Sequence, residues 1–218
     1  GTWYGFAARA RVLIVNKGVA DEEAPRSILD LADPKWRGQT AIAKPLFGTT
    51  ATHAACLFAY WGDEEARAYF RRLKENDVLV LEGNKQVAQA VATGELAFGL
   101  TDTDDAIIQI ERGSPVRIVY PDQGPDQMGT LFIPNTIAII EGCPHPEAAE
   151  ELADYLLSKE VEARLAGGPS AQIPLHDECD VHVRVKTPQE IKPMPVDFEQ
   201  AVEHWDAAAE FLRKEFLQ

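Results

Sequence analysis

The stretch that decides the fold is LAFGLTDTDDAIIQIE, which occupies residues 96–111. Its first five residues are apolar enough to form a short buried strand, and its last six favour a helix. Three carboxylates and two hydroxyls lie between them in residues 101–105, which we name the acidic turn. In an open α/β sheet, ligands bind in the crevice outside the carboxyl ends of the strands. The acidic turn is therefore either a helix N-cap with additional charge or part of a binding site.

Strand and helix patterns alternate on both sides of the acidic turn. Short strands that alternate with helices predict a βαβ architecture with a largely parallel sheet. A Pro/Gly/Asp-rich stretch at 121–129 then has the composition of a linker. The expected strands are 9–16, 40–43, 78–81, 96–100, 116–120, 131–133 and 136–140, and the expected helices are 27–31, 48–61, 64–75, 84–93, 146–157 and 159–166.

The last part of the chain is expected to be irregular from 167 to 194 and to close with one amphipathic helix over 198–216. A period of about 3.6 residues places Val202, Trp205, Ala209 and Leu212 near one face of that helix. These four residues are therefore predicted to pack against the body of the protein.

Polar residues follow three of the expected strands. Gly48, Thr49 and Thr50 open one helix, Asn84 opens or caps another, and the acidic turn opens a third. Free backbone N–H groups at a helix start bind anions, and hydroxyls add further donors. Each start taken alone is also explained by N-capping. Three such starts at successive strand ends of one sheet favour a common binding crevice.

Composition and motifs exclude several functions. The formal net charge is −14 over 218 residues, which argues against nucleic-acid binding. No apolar run approaches the roughly 20 residues that span a bilayer. Neither a Gly-x-Ser-x-Gly nor a His-Glu-x-x-His motif occurs, so an enzyme is the weaker class. His53 is either a satisfied helix residue or a ligand contact, and Cys143 and Cys179 lie in polar loops where pairing stays open.

Five segments resemble the extracellular solute-binding proteins of ABC transporters, and within them the ferric-iron-binding periplasmic group. The segments are RARVLIVNK at 9–17, SILDLADPKWRG at 27–38, GTLFIPNT at 129–136, PHPEAA at 144–149 and SAQIPL at 170–175. The resemblance implies an α/β fold of the type II periplasmic-binding kind, with two lobes joined by crossing strands. Such lobes close on a ligand like a hinged trap.

The resemblance also implies a division of the chain. Residues 10–120 would form a complete lobe two that carries the ligand cleft, and residues 121–166 a returning segment of lobe one. Residues 167–218 would supply a crossing segment and the C-terminal helix. The N-terminal part of lobe one would be missing, and would be supplied in cis or by a separate chain.

Site residues carry over from the resemblance on two sides of the cleft. In the ferric-binding proteins a small-residue helix start, an Asn at the next helix start and a strand-end residue hold a synergistic anion. The matching positions here are Gly48, Thr49, Thr50, Asn84 and Thr101.

The iron side departs from the family. Its two adjacent tyrosine ligands correspond to Thr103 and Asp104, so the phenolates that favour Fe³⁺ are absent at these positions. Asp102, Asp104 and Asp105 are left as ligands for a hard cation or as acceptors for polar groups of an organic solute.

The resemblance therefore predicts the substrate-binding component of an ABC importer, located in the periplasm or elsewhere outside the cytoplasm, with a lipid anchor on the full-length form left open. It would deliver a small solute to a membrane permease, without inserting into the membrane and without binding nucleic acid. The expected cargo is iron(III) or a metal–anion complex, with no certain cofactor. The alternatives are a phosphorylated or phosphonate organic solute, an α/β enzyme acting on a phosphorylated metabolite, and a purely structural or sensory domain.

Overall fold

The longest strand of the protein is β1 (Tyr4–Asn16). The structure is a computed structural model that describes residues 3–177 and 179–218. The second half of β1 pairs antiparallel with β4 (Phe98–Asp102) and with β5 (Val116–Val119). Its first half pairs antiparallel with β6 (Phe132–Ile137), with a bulge between residues 6 and 8. β1 therefore crosses from one set of strand partners to another.

The sheet has the strand order β3-β2-β4-β1-β5. β2 (Thr40–Ala43) runs parallel to both β3 (Leu79–Leu81) and β4. β5 runs in the same direction as β4, because both are antiparallel to β1. The sheet is therefore mixed and not largely parallel as predicted, because β1 runs against its neighbours and makes three antiparallel pairings, while the two pairings of β2 are parallel.

Helices cover both faces of this sheet. Successive residues of β1 point to opposite faces, so its side chains enter two separate buried clusters. Leu13 and Val15 belong to one buried cluster, with residues of α1, α2 and the C-terminal segment. Val12 and Ile14 belong to a second cluster, with residues of α3 and α4. The α-helices are α1 (Gly48–Trp61), α2 (Asp63–Glu75), α3 (Asn84–Ala92), α4 (Thr103–Glu111), α5 (Pro146–Leu156), α6 (Lys159–Gly167), α7 (Phe198–Glu203) and α8 (Trp205–Phe211).

Short helical turns complete the structure. Two 3₁₀ turns, Ile28–Ala32 and Pro34–Trp36, lie between β1 and β2, and a π-helical turn, Leu212–Phe216, follows α8. Within the described residues, every helix is too short or too polar to span a bilayer.

The single closing helix predicted over 198–216 is wrong, because it breaks at His204 into α7 and α8. Of the four residues expected near one face, Val202 is 70% exposed and Trp205 is 40% exposed, whereas Leu212 is buried. Phe211 and Phe216 are buried in the same core cluster as Leu212.

Two smaller expectations also changed. The strands predicted at 131–133 and 136–140 are one strand, β6, and Ile140 beyond it is exposed. Cys143 and Cys179, whose pairing the sequence left open, are both free thiols.

Candidate functional site

The three polar helix starts meet at one edge of the sheet, as the sequence predicted. β2, β3 and β4 are parallel neighbours, so α1, α3 and α4 begin side by side. Thr49 donates its hydroxyl hydrogen to Asp102 Oδ2 at 2.5 Å. Asn84 Nδ2 donates to the same oxygen at 2.8 Å and to Thr49 Oγ1 at 2.9 Å. The contact of these residues with a solute stays a prediction.

The side chains at this edge do not cap their helices. Asp102 occupies the N-cap position of α4, yet its side chain makes no capping hydrogen bond. Asn84 is the first residue of α3, whose N-cap is Gly83 and likewise lacks a side-chain cap. The interpretation of these residues as N-caps is therefore wrong, because their polar atoms bond to each other.

Arg11 is the centre of this network, and the sequence analysis missed it. Its side chain is fully buried, and Nη1 donates to Asp102 Oδ1 at 2.6 Å and to Asn84 Oδ1 at 3.1 Å. Nη2 donates to Thr50 Oγ1 at 3.3 Å. The available signal was an arginine inside an apolar strand run, because a buried arginine is almost always paired.

The other hydroxyls of the predicted site are also buried. Thr50 donates to Asn84 Oδ1 at 3.3 Å, and Thr101 donates to the Asn84 carbonyl at 3.0 Å. Thr103, which stands at a tyrosine position of the ferric-binding pattern, accepts from the Ala10 amide at 3.1 Å. These contacts hold β1, α1 and α3 together at the sheet edge.

A cleft of about 810 Å³ opens beside the network. It is lined by residues of β1, the start of α1, the acidic turn, β6, α6, the segment after α6 and α8. This volume lies within the range of small-molecule sites. The lining residues are Phe6, Arg9, Gly48, Thr49, Thr52, Asp104, Ile133, Pro134, Asn135, Thr136, Leu165, Ser170, Gln172 and Trp205.

The start of α1 supplies anion-binding groups to the cleft. Phe47 is its N-cap and provides no capping side chain, while Gly48 adopts a φ of +55° that suits glycine. The first amides of a helix have no acceptor within the helix. Because Gly48 and Thr49 line the cleft, these amides and the positive end of the helix dipole lie at its wall.

Arg9 is the second residue that the sequence analysis missed. It lies two positions before Arg11 on β1, and it lines the cleft. Its Nε is 3.6 Å from Asp104 Oδ2, and its Nη2 donates to Asn135 Oδ1. Among the described residues, neither Arg9 Nε nor Asp104 Oδ1 has a hydrogen-bond partner. The pair therefore retains unused hydrogen-bonding capacity beside the cleft.

The carboxylates of the acidic turn lie close together. Oxygens of Asp102, Asp104 and Asp105 are all within 4.8 Å of one another. Burial raises the pKa of Asp104, although the Arg9 guanidinium opposes the shift. Burial, followed by the charges of Asp104 and Asp102, raises the pKa of Asp105 to about 6. Asp102 is taken by Arg11, Thr49 and Asn84, and Asp104 Oδ2 accepts from Gln172 at 3.4 Å, so Asp104 Oδ1 and the Asp105 carboxylate remain for a cation or a polar solute group.

His53 is a core residue and does not line the cleft. It is buried against a small cavity behind the sheet edge, together with Thr50 and Tyr69. Burial and the charge of Arg11 hold its pKa well below the usual range, so its imidazole is neutral at physiological pH.

The fold and cleft define a periplasmic-type binding protein. Residues 1–204 match the model of the family described as "Bacterial extracellular solute-binding protein", and the chain belongs to that family. The structure is similar to iron-bound HitA from Pseudomonas aeruginosa, with a TM-score of 0.86 and 26% identity, covering 98% of this chain and 69% of that one. The type II periplasmic-binding fold is thereby confirmed, and the family is one of binding proteins, not of enzymes.

Two curated relatives carry different ligand names. "Iron uptake protein A1" of Synechocystis sp. is 28% identical over 175 residues, which are 76% of this chain and 48% of the relative. "Putative 2-aminoethylphosphonate-binding periplasmic protein" of Salmonella typhi is 29% identical over 147 residues, 66% of this chain and 43% of the relative. The chain spans about half the length of these relatives.

Proposed function

We propose that this chain belongs to the substrate-binding component of an ABC importer. It captures a solute that carries an oxyanion in the cleft and presents the solute to a membrane permease, outside the cytoplasm. The observation that carries this proposal is the uncapped start of α1, which borders the cleft together with Arg9. Family membership supports the class of function.

The two arginines have different roles in the proposed site. The first amides of α1 and the guanidinium of Arg9 receive the oxyanion, because both are donors with positive charge at the cleft wall. Arg11 lies behind them and holds Thr49, Asn84 and Asp102 in fixed positions. A site built in advance in this way loses little entropy when the solute binds.

The cleft chemistry favours an organic phosphate or phosphonate as cargo. Among the described residues that line the cleft, Asp104 is the one carboxylate, and none is Tyr, His or Cys. A ferric ion prefers several anionic oxygen ligands, whereas a phosphonate needs the donors that Arg9 and α1 offer. The phosphonate-binding description of the Salmonella relative supports this cargo class.

Iron(III) held together with a synergistic anion is the second candidate. The clustered oxygens of Asp102, Asp104 and Asp105 favour it, and the iron-uptake relative supports it. In this arrangement Asp104 and Asp105 bind the metal, and the start of α1 binds the anion. Iron is then cargo and not a resident cofactor.

The division into lobes is part of the same proposal. We assign residues 10–120 to lobe two, 121–166 to the returning segment of lobe one, and 167–218 to the crossing segment and C-terminal helix. Support comes from β1, whose two halves pair with different strands, and from the cleft, which lies where these pairings meet.

Isothermal titration calorimetry on the 218-residue chain tests the cargo. Methylphosphonate, inorganic phosphate and Fe³⁺-citrate are titrated separately at pH 7. We expect methylphosphonate to bind without metal. Tight binding of Fe³⁺-citrate, together with no binding of methylphosphonate or phosphate, would refute the phosphonate cargo and favour iron held with an anion.

A further inference from the structure

Trp205 stands out because a large apolar side chain is exposed where the helix pattern predicts burial. It is the first residue of α8, directly after the break at His204, and it lines the cleft. His204 Nδ1 lies 3.1 Å from Asp63 Oδ1, which ties the break to the start of α2. The indole is therefore held at the cleft by a fixed turn of the chain.

The indole of Trp205 is also unused within the protein. Among the described residues, no aromatic ring or cation stacks on it, and no hydrogen bond involves it. The other apolar residues that line the cleft are Phe6, Ile133 and Leu165. The cleft therefore has an apolar side in addition to its polar donors at Arg9 and α1. A bare ion with an inorganic anion gains nothing from such a surface, whereas an organic solute gains by burying carbon atoms there.

We infer that Trp205 forms an aromatic wall that receives the carbon-bearing part of an organic phosphonate or phosphate. This inference rests on the proposed function and specifies the cargo more closely. The oxyanion binds to α1 and Arg9, while the organic group packs on the indole face. Trp205 then determines specificity among solutes that share the same oxyanion.

A series of probes with a constant headgroup and a growing apolar part tests this role. Inorganic phosphate, methylphosphonate and phenylphosphonate are titrated into the wild type, Trp205→Ala and Trp205→Phe. Wild type should bind phenylphosphonate more tightly than methylphosphonate. Trp205→Ala should lose about three- to tenfold in affinity for phenylphosphonate, as expected for one aromatic contact, with methylphosphonate within twofold of wild type. Trp205→Phe should keep most of the phenylphosphonate affinity.

Val202→Ala is the matched control, since Val202 is exposed near Trp205 but does not line the cleft. It should bind all three probes like the wild type. An equal loss for every probe in Trp205→Ala, or no loss for phenylphosphonate, would overturn the inference and leave the proposed function in place. Failure of the wild type to bind any phosphonate would overturn both.

Discussion

Arg9 and Arg11 lie two residues apart on one strand, and each faces an aspartate of the acidic turn, yet their surroundings differ. Arg11 is completely buried, and its Nη1 lies 2.6 Å from Asp102 Oδ1. Arg9 is partly exposed at the cleft, and its Nε lies 3.6 Å from Asp104 Oδ2. The first pair is closed by hydrogen bonds to Thr49, Thr50 and Asn84. Among the described residues, the Nε of each arginine is buried without a hydrogen-bond partner, and in the second pair Asp104 Oδ1 also lacks one.

This difference gives the two arginines different roles: Arg11 stabilises the structure, and Arg9 is available to bind a solute. The buried Arg11–Asp102 pair holds three helix starts in place through hydrogen bonds of both side chains, and its charge is neutralised before any solute arrives. The Arg9–Asp104 pair is longer and 25% and 19% exposed at the cleft, so its partners exchange at lower cost than those of the fully buried pair. We therefore expect Asp102 and Arg11 to determine stability, and Arg9 and Asp104 to determine affinity.

Removing the Asp102 carboxylate, the partner of Arg11, has the largest expected effect on stability. Asp102→Ala leaves the Arg11 guanidinium buried and unpaired, which should lower the free energy of unfolding by about 3–5 kcal/mol. Urea denaturation followed by circular dichroism measures the change. Asp104→Ala is the matched control and should cost less than about 1 kcal/mol, because its partner keeps access to solvent. Equal losses in the two variants would contradict the distinction.

Removing the Arg9 guanidinium should lower the affinity for the solute and leave the stability of the fold near that of the wild type. Arg9→Gln deletes a charge-assisted donor at the cleft, so methylphosphonate affinity should fall by roughly 10- to 100-fold, corresponding to about 1.5–3 kcal/mol. Calorimetry measures the affinity, and the urea midpoint should stay near that of wild type. Arg37→Gln, which breaks an exposed ion pair outside the cleft lining, serves as control. An unchanged affinity in Arg9→Gln would place the oxyanion elsewhere.

The acidic turn adds a smaller, pH-dependent effect. Asp105 has a pKa of about 6 in the folded chain, above the ordinary carboxyl value of 3.8. The folded chain therefore holds a proton that the unfolded chain releases between these values, so the free energy of unfolding falls as pH rises from about 4 to 6. Since Asp105 is only partly buried, the fall should be about 1 kcal/mol.

Asp105→Asn should remove this fall and should be more stable than the wild type at pH 7. Urea denaturation at pH 4, 5, 6 and 7 measures the difference between the two proteins. Asp126→Asn, in an exposed loop, should run parallel to the wild type across the same range. A constant difference between Asp105→Asn and the wild type at every pH would show that Asp105 is not destabilised by ionising.

The sequence predicted which polar residues meet at the edge of the sheet, but it did not predict the role of Arg9 and Arg11 beside them. Parallel strands must bring their carboxyl ends to one edge, so the meeting of Thr49, Asn84 and Asp102 followed from local patterns alone. The Arg11–Asp102 pair joins residues 91 positions apart, and no local pattern specifies which strands become neighbours.

The exposed position of Trp205 was not predicted, for a different reason. A single uninterrupted helix over 198–216 places it on the buried face, but the break at His204 turns it toward the cleft. At this break, His204 contacts Asp63, which is 141 residues away in the sequence. Local periodicity carries no information about that contact.

Backbone amide NMR tests most directly whether the oxyanion binds at the start of α1 beside Arg9. The ¹⁵N-labelled chain is titrated with methylphosphonate, and amide shifts are followed at Gly48, Thr49 and Asn84. We expect the largest downfield shifts at Gly48 and Thr49, and the loss of these shifts in Arg9→Gln. Saturable phosphonate binding that leaves both amides unmoved, with the largest shifts outside the cleft, would contradict it.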